Sequence, residues 1–299
     1  MPFPGSSLPL FDVGTLFALV GPPAGSSSPA RPHDRPIAVL GGCLALGCYI
    51  AMIAHLGLAP HGVAPIIAVF IAALASSVVG FAFSAAGGAI LFHVLPSPVE
   101  IIQILLVCSI ANQALSVWAL RRAISWRATA PFLLSGMLGA PAGAWLLLHS
   151  EPHAYLLAFG VLLIGYSLSA LIRPQTQLRR RWLGGDWLVG LLGGLTGGFA
   201  ASPGAPLSIW LTLLGWDKLR RRAVYQPFIL VIQCVALVSM QAMARQVQPQ
   251  GSITGVSLYL PASLLGTWYG LSIFAALNDN QFTLAINLLL IVSGLALVL

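Results

Sequence analysis

Two short segments hold the residues best suited to gripping a ligand. Gly80-Phe81-Ala82-Phe83-Ser84 recurs as Gly198-Phe199-Ala200-Ala201-Ser202, identical at four of five positions. Small residues follow each copy, Ala85-Ala86-Gly87-Gly88 and Pro203-Gly204-Ala205-Pro206. Ser202-Pro203 reads as a helix start, with serine as N-cap and proline at the first helical position. Ser84 holds the same place in the first copy. A helix N-terminus leaves several N–H groups without partners and carries roughly half a positive charge. Gly80, Gly87, Gly88, Gly198 and Gly204 would let an ion come close to that backbone, and the hydroxyls of Ser84 and Ser202 would add donors. Two such starts converging make an anion site that needs no basic side chain. Phe81 and Phe199 would wall that site or simply pack. Farther along, Asn112 and Gln113 follow the first copy and Gln233 follows the second. Their amides can donate to an anion, and they can equally bond neighbouring helices.

Other chemistry finds less support. Cys43, Cys48, Cys108 and Cys234 all lie in apolar runs, with no CxxC pair and no histidine at ligand spacing, so no metal and no cofactor is implied. A serine hydrolase could pair Ser84 or Ser202 with His93, His149 or His153. There is no GxSG-like element, however, and a serine and a histidine become a dyad only through geometry. His93, on the arm that follows the first copy, is the histidine best placed to carry or sense a proton. A membrane assembly partner would need no polar motif of this kind.

The elements that carry these residues follow from composition. Of 299 residues 58% are hydrophobic, and only 14 are basic and 7 acidic; the mean hydropathy is +0.91. A soluble domain of this length would carry about 75 charged residues. That shortfall excludes a water-soluble globule and a disordered chain. The net charge of +7 does not indicate nucleic-acid binding, because the basic residues fall in short clusters between apolar runs. The chain reads as an all-α polytopic membrane protein with the lipid bilayer as its solvent.

A crossing needs about 20 mostly apolar residues. Runs 37–58, 99–120, 128–149, 154–172, 224–244, 254–276 and 281–299 qualify. Stretches 64–95 and 187–215, which carry the two motifs, are longer than one crossing and shorter than two. Basic residues collect on the cytoplasmic side. If both odd stretches enter and return as broken hairpins, the clusters at Arg31 and Arg35, Arg121 to Arg127, Arg173 to Arg181 and Lys218 to Arg222 all lie together. Only Arg245 of the 14 basic residues is then outside. Trp118, Trp126, Trp182, Trp187 and Trp216 sit beside those clusters, as an interfacial aromatic belt would. Irregular backbone at membrane depth is tolerated where protein or water covers it, and it usually lines a site.

Each hairpin is followed by three crossings, and the two hairpins start from opposite sides. The fold class is therefore an inverted-topology repeat, an architecture of secondary transporters. Residues 1–36 form a flexible or interfacial tail and 37–58 an additional transmembrane helix. The first repeat spans 64–172, a basic cytoplasmic linker 173–186, and the second repeat 187–299. The N-terminus is cytoplasmic and the C-terminus outside. Gly139 and Gly143 match Gly266 and Gly270 in spacing and read as helix-packing faces. No Lys, Arg, Asp or Glu lies in the middle of an apolar run, which speaks against a proton or cation pathway and leaves an anion pathway untouched.

The residues from Gly80 to Gly88 and from Gly193 to Pro206, each early in a half, resemble the TauE/SafE family of sulfite exporters. The stretch Gly190-Leu-Leu-Gly-Gly-Leu-Thr-Gly-Gly-Phe-Ala-Ala-Ser-Pro-Gly-Ala-Pro206, followed by the basic patch Lys218 to Arg222, is the more recognisable copy. The resemblance covers about 64–299. It implies a transporter rather than an enzyme, one that moves sulfite or an organosulfur anion across the bacterial cytoplasmic (inner) membrane. It leaves room for another small anion and for a homo-oligomer. Family members carry a denser glycine cluster at the tips, and a small hydroxyl residue is common where this chain has Tyr225-Gln226. Export of an anion is favoured by about 2.3 kcal/mol per charge per 100 mV in a cell negative inside, so no coupled ion is required.

Overall fold

The structure, a computed structural model, describes residues 47–51, 62–79, 83–171, 183–216, 218–247, 253–274, 291, 292, 294, 295, 297 and 298. The expected tail 1–36, most of the helix 37–58, most of the basic linker and much of the last crossing lie outside the described residues. So do Gly80 and Phe81 of the first motif.

Described secondary structure is helical throughout. The elements are α1 (Ala64–Val79), α2 (Phe83–Leu91), α3 (Pro98–Leu120), α4 (Trp126–His149), α5 (Pro152–Leu171), α6 (Leu183–Ala200), α7 (Gly204–Leu213), α8 (Lys218–Val247), α9 (Ile253–Val256), a 3-10 turn (Ser257–Tyr259) and α10 (Leu260–Phe274). Among the described residues, segments of α3, α4 and α8 are long and apolar enough to cross a membrane: Pro98–Trp118, Trp126–His149 and Arg220–Met243. Large apolar side chains stand exposed on their outer faces, among them Leu134 and Leu138 of α4 and Val238 of α8. Such surfaces require a nonaqueous surround.

The second stretch of intermediate length is a broken helix, α6 giving way to α7 at Ala201–Pro203. In the first, α1 and α2 lie on either side of 80–82, which are outside the described residues. At 1.5 Å per residue the 9 residues of α2 and the 10 of α7 reach about 13 and 15 Å. That is roughly half the bilayer's hydrocarbon thickness. α6 begins at Leu183 rather than 187, and α8 at Lys218 rather than 224. The basic patch from Lys218 to Arg222 is therefore helical and not a loop.

Local chemistry explains the boundaries. Ser97 caps α3, its hydroxyl accepting from Glu100 N at 3.4 Å, with Pro98 at the first position and Glu100 placed to favour the helix dipole. α7 ends in a Schellman motif: Gly215 takes φ +68°, its N–H returns to Thr212 O at 2.9 Å, and Trp216 N–H returns to Leu211 O at 3.2 Å. Glycine holds that left-handed position without a Cβ penalty.

Packing is set by small residues. α4 lies along α6 and α10 lies along α1. On the α4–α6 face, a Cβ on Gly139 would overlap Leu191 O and sit 2.8 Å from Leu195 N, and one on Gly194 would overlap Gly136 O. On the α1–α10 face, a Cβ on Gly266 would overlap Phe70 O and meet Ala73 Cβ at 2.8 Å. Gly139, Gly143 and Gly266 are thus packing positions. α8 also packs on α3 and α4, and α10 on α3.

Candidate functional site

The α6–α7 break is the best-defined part of the site. Helix α6 closes at Ala201, the one described non-glycine residue with positive φ, at 53°. A left-handed alanine costs about 1–2 kcal/mol, so surrounding bonds must hold it. Ser202 N–H returns to Thr196 O at 3.2 Å. The Thr196 hydroxyl lies within donor distance of Ser202 O at 3.1 Å, as well as of Leu192 O and Gly193 O.

Two more carbonyls of this turn are held from outside the hairpin. Gln233 of α8 donates from Nε2 to Ala201 O at 3.1 Å and to Ser109 Oγ of α3 at 2.9 Å. Tyr155 of α5 donates its hydroxyl to Phe199 O at 3.1 Å. Phe199, Ala201 and Ser202 carbonyls therefore all have side-chain donors within reach. α7 then starts without a side-chain cap, which leaves the first-turn amides of Gly204 and Ala205 without helical partners. Carbonyls engaged and amides free is the electrostatic sense that favours an anion.

The N-cap differs from the expected one. Pro203, at φ −70° and ψ −20°, occupies that position, and α7 begins at Gly204. Ser202 is spent on closing α6 through its backbone, and Pro203, with no N–H to satisfy, takes the cap. Ser202 instead lines a cavity of about 40 Å3 with Ala85, Phe159, Leu162, Leu163, Thr196, Ala200 and Ala205. That cavity joins the two motifs, since Ala85 follows Ser84 directly. Ser84 itself is buried in the first turn of α2, which begins at Phe83 rather than near 85.

The remaining expected site residues are dispersed. A Cβ on Gly88 would overlap the Phe159 ring, and one on Gly87 would overlap the Leu105 side chain. A Cβ on Gly198 would overlap Ala140 O. These three glycines accommodate neighbours. Phe199 is buried with its ring 4.8 Å from that of Tyr155, outside the cavity lining. Asn112 donates to Ser263 Oγ at 2.9 Å, and Gln113 is buried on the same helix. Both hydrogens of the Gln233 amide are engaged, which leaves its Oε1 without a partner; an anion could reach that amide only by displacing one of its two bonds.

Three contributors were not singled out from sequence: Tyr155, Thr196 and Ser109. Thr196 lies inside the recognisable glycine-rich stretch, so a signal existed for it. Tyr155 and Ser109 reach the turn only through tertiary packing. Asp186, assigned to the linker, is instead buried in the first turn of α6 and accepts from Trp210 Nε1 of α7 at 2.8 Å. It ties the two arms together at the end away from the break. Close by, Arg221 donates to Thr212 Oγ1 at 2.7 Å, and the Arg220 guanidinium stacks 4.0 Å from the Trp216 ring centroid.

The model of the sulfite exporter TauE/SafE family covers residues 65–297, and the chain belongs to that family. Membership implies a multi-pass membrane protein that transports sulfur anions, and the family's members are transporters rather than enzymes. No curated protein and no solved structure matches the chain.

Proposed function

We propose that this member of the sulfite exporter TauE/SafE family exports a small sulfur-containing anion, sulfite or an organosulfonate, across the bacterial inner membrane. The anion is held between the two hairpin breaks near mid-depth. The observation that carries this reading is the shared cavity, where Ala85 beside Ser84 faces Ala200, Ser202 and Ala205. Ser202 and Thr196 are the polar residues in an otherwise apolar lining, the start of α7 adjoins it at Ala205, and no charged side chain lines it.

The inverted repeat belongs to the same reading. Exchanging the halves maps α1 onto α6, α2 onto α7, α3 onto α8 and α4 onto α10. Under that exchange the α4–α6 pair becomes α10–α1, α8–α4 becomes α3–α10, and α3–α8 maps onto itself; every one of these pairs is in contact. A Cβ on Gly160 of α5 would lie 2.7 Å from Gly294 O, which adds the last helices of both halves as another self-paired contact. This agreement supports two halves of opposite orientation, with the cavity on the axis between them.

The test is anion flux in proteoliposomes, comparing sulfite, thiosulfate, sulfoacetate and sulfate. Saturable flux of one of them that is lost in the Ser84→Leu/Ser202→Leu double variant, with folding intact, is the expected result. No flux of any of the four from folded wild-type protein would overturn the proposed substrate class.

A further inference from the structure

We infer that Tyr155 is a positioning residue that latches the α6–α7 break and keeps the cavity shut on the side where α5 begins. The inference rests on the cavity being the transport site. Tyr155 is 1% exposed and lies one turn into α5. Its hydroxyl holds Phe199 O, and its ring packs 4.8 Å from Phe199 and 5.6 Å from Phe92, centroid to centroid. Phe92 directly follows α2 and its ring lies tilted 4.7 Å from that of Phe159, which lines the cavity. The four rings therefore join the end of α2, the start of α5 and the turn between α6 and α7 into one aromatic cluster. Beyond it, His93 and Val94 are exposed.

A cluster bolted to the turn by one hydrogen bond has two arrangements, latched and released. In the latched one the turn's carbonyl is engaged and the rings stand together beside the cavity. Releasing the tyrosine frees both the Phe199 carbonyl and the ring cluster. Passage of an anion past α5 requires the released arrangement, so the bond sets how often the site opens on that side. The Tyr155→Phe substitution removes the bond and keeps every ring contact. A single net hydrogen bond shifts such an equilibrium by roughly two- to ten-fold.

The experiment places a reporter cysteine in the cavity, Ala205→Cys, in a background with the four native cysteines replaced by alanine. A membrane-impermeant maleimide is applied from the side on which α5 begins. Tyr155→Phe is expected to raise the labelling rate about two- to ten-fold, and Phe92→Leu, which loosens the rings without touching the turn, is expected to raise it as well. Labelling from the opposite side stays unchanged in both. A merely structural role would leave labelling equal from the first side or raise it equally from both, and either result overturns the inference. Labelling that responds while wild-type protein moves none of the four anions would overturn the transport reading and leave the latch standing.

Discussion

The α4–α6 contact sets where the second break sits, and one pair of substitutions measures that. At Gly198 an added Cβ would overlap Ala140 O and stand 2.6 Å from Ala144 N, where ordinary contact begins near 3.4 Å, so the helices must part by about 0.8 Å. The obstructing atoms are backbone and cannot rotate away. Overpacking of this kind costs about 1–3 kcal/mol, and a gap of 0.5–1 Å forfeits a quarter to a half of each neighbouring contact. Gly198→Ala is therefore expected to destabilise by about 2–3 kcal/mol. At about 2–4 °C per kcal/mol, the melting temperature in detergent falls roughly 4–12 °C. Gly165→Ala is the opposite case: nothing lies within 4 Å of its Cβ position, and replacing a helical glycine by alanine gains about 0.5–1 kcal/mol. That variant melts slightly higher. Because Gly143 C lies 3.0 Å from the same Cβ, the Gly143→Ala/Gly198→Ala double variant costs less than the sum of the singles, the first having already parted the helices. Melting followed by tryptophan fluorescence reads all four proteins. Equal melting of Gly198→Ala and Gly165→Ala would refute the argument that backbone approach fixes this face.

Two further perturbations probe the bonds around the break. Gln233→Leu keeps the volume but strips Ala201 O of its donor, at a cost of about 1–3 kcal/mol. It should lower both melting temperature and maximal flux, and flux intact at reduced stability would show that the turn needs no bracing. Asp186→Ala leaves the Trp210 indole without its acceptor and removes a carboxylate from the first turn of α6. A hydrogen bond to a charged group is worth about 1.5–3 kcal/mol, so this variant melts lower while Asp186→Asn, which retains an acceptor oxygen, recovers most of the loss. Equal melting of the two variants would assign no role to that bond.

Legibility in the sequence followed the range of each signal. The interrupted second stretch was visible because length and glycine content are local along the chain. The packing role of Gly139, Gly143 and Gly266 was likewise visible from spacing. The N-cap at Ser202 was misplaced by one residue because Ala201 adopts a left-handed conformation that no alanine announces. Once Ala201 turns, Ser202 closes α6 and Pro203 caps α7. Gln233 was visible as a polar residue in an apolar helix, yet its partners, Ser109 on α3 and Ala201 at the break, come from elements far apart in sequence. Tyr155 gave no signal, since a tyrosine near the start of an apolar helix looks like an interfacial anchor. Asp186 looked like linker because Gly184 and Gly185 precede it, close behind the basic run Arg179 to Arg181.

Three polar bonds cross between the two proposed halves: Asn112 to Ser263 at 2.9 Å, Gln233 to Ser109 at 2.9 Å and Tyr155 to Phe199 O at 3.1 Å. Each is worth about 1 kcal/mol net, so a motion that parts the halves works against about 3 kcal/mol. One negative charge crossing 100 mV releases about 2.3 kcal/mol. The two quantities are comparable, so the membrane potential alone is large enough to bias the opening of the proposed anion site, whose cavity no charged side chain lines. Initial flux in proteoliposomes clamped at zero and at 100 mV, without a pH gradient, is therefore expected to rise steeply with outward driving potential for the anion. Asn112→Ala, by weakening the seam, should shift that curve to lower potential. Flux indifferent to potential but proportional to a pH gradient would refute uncoupled movement and place a proton in the cycle.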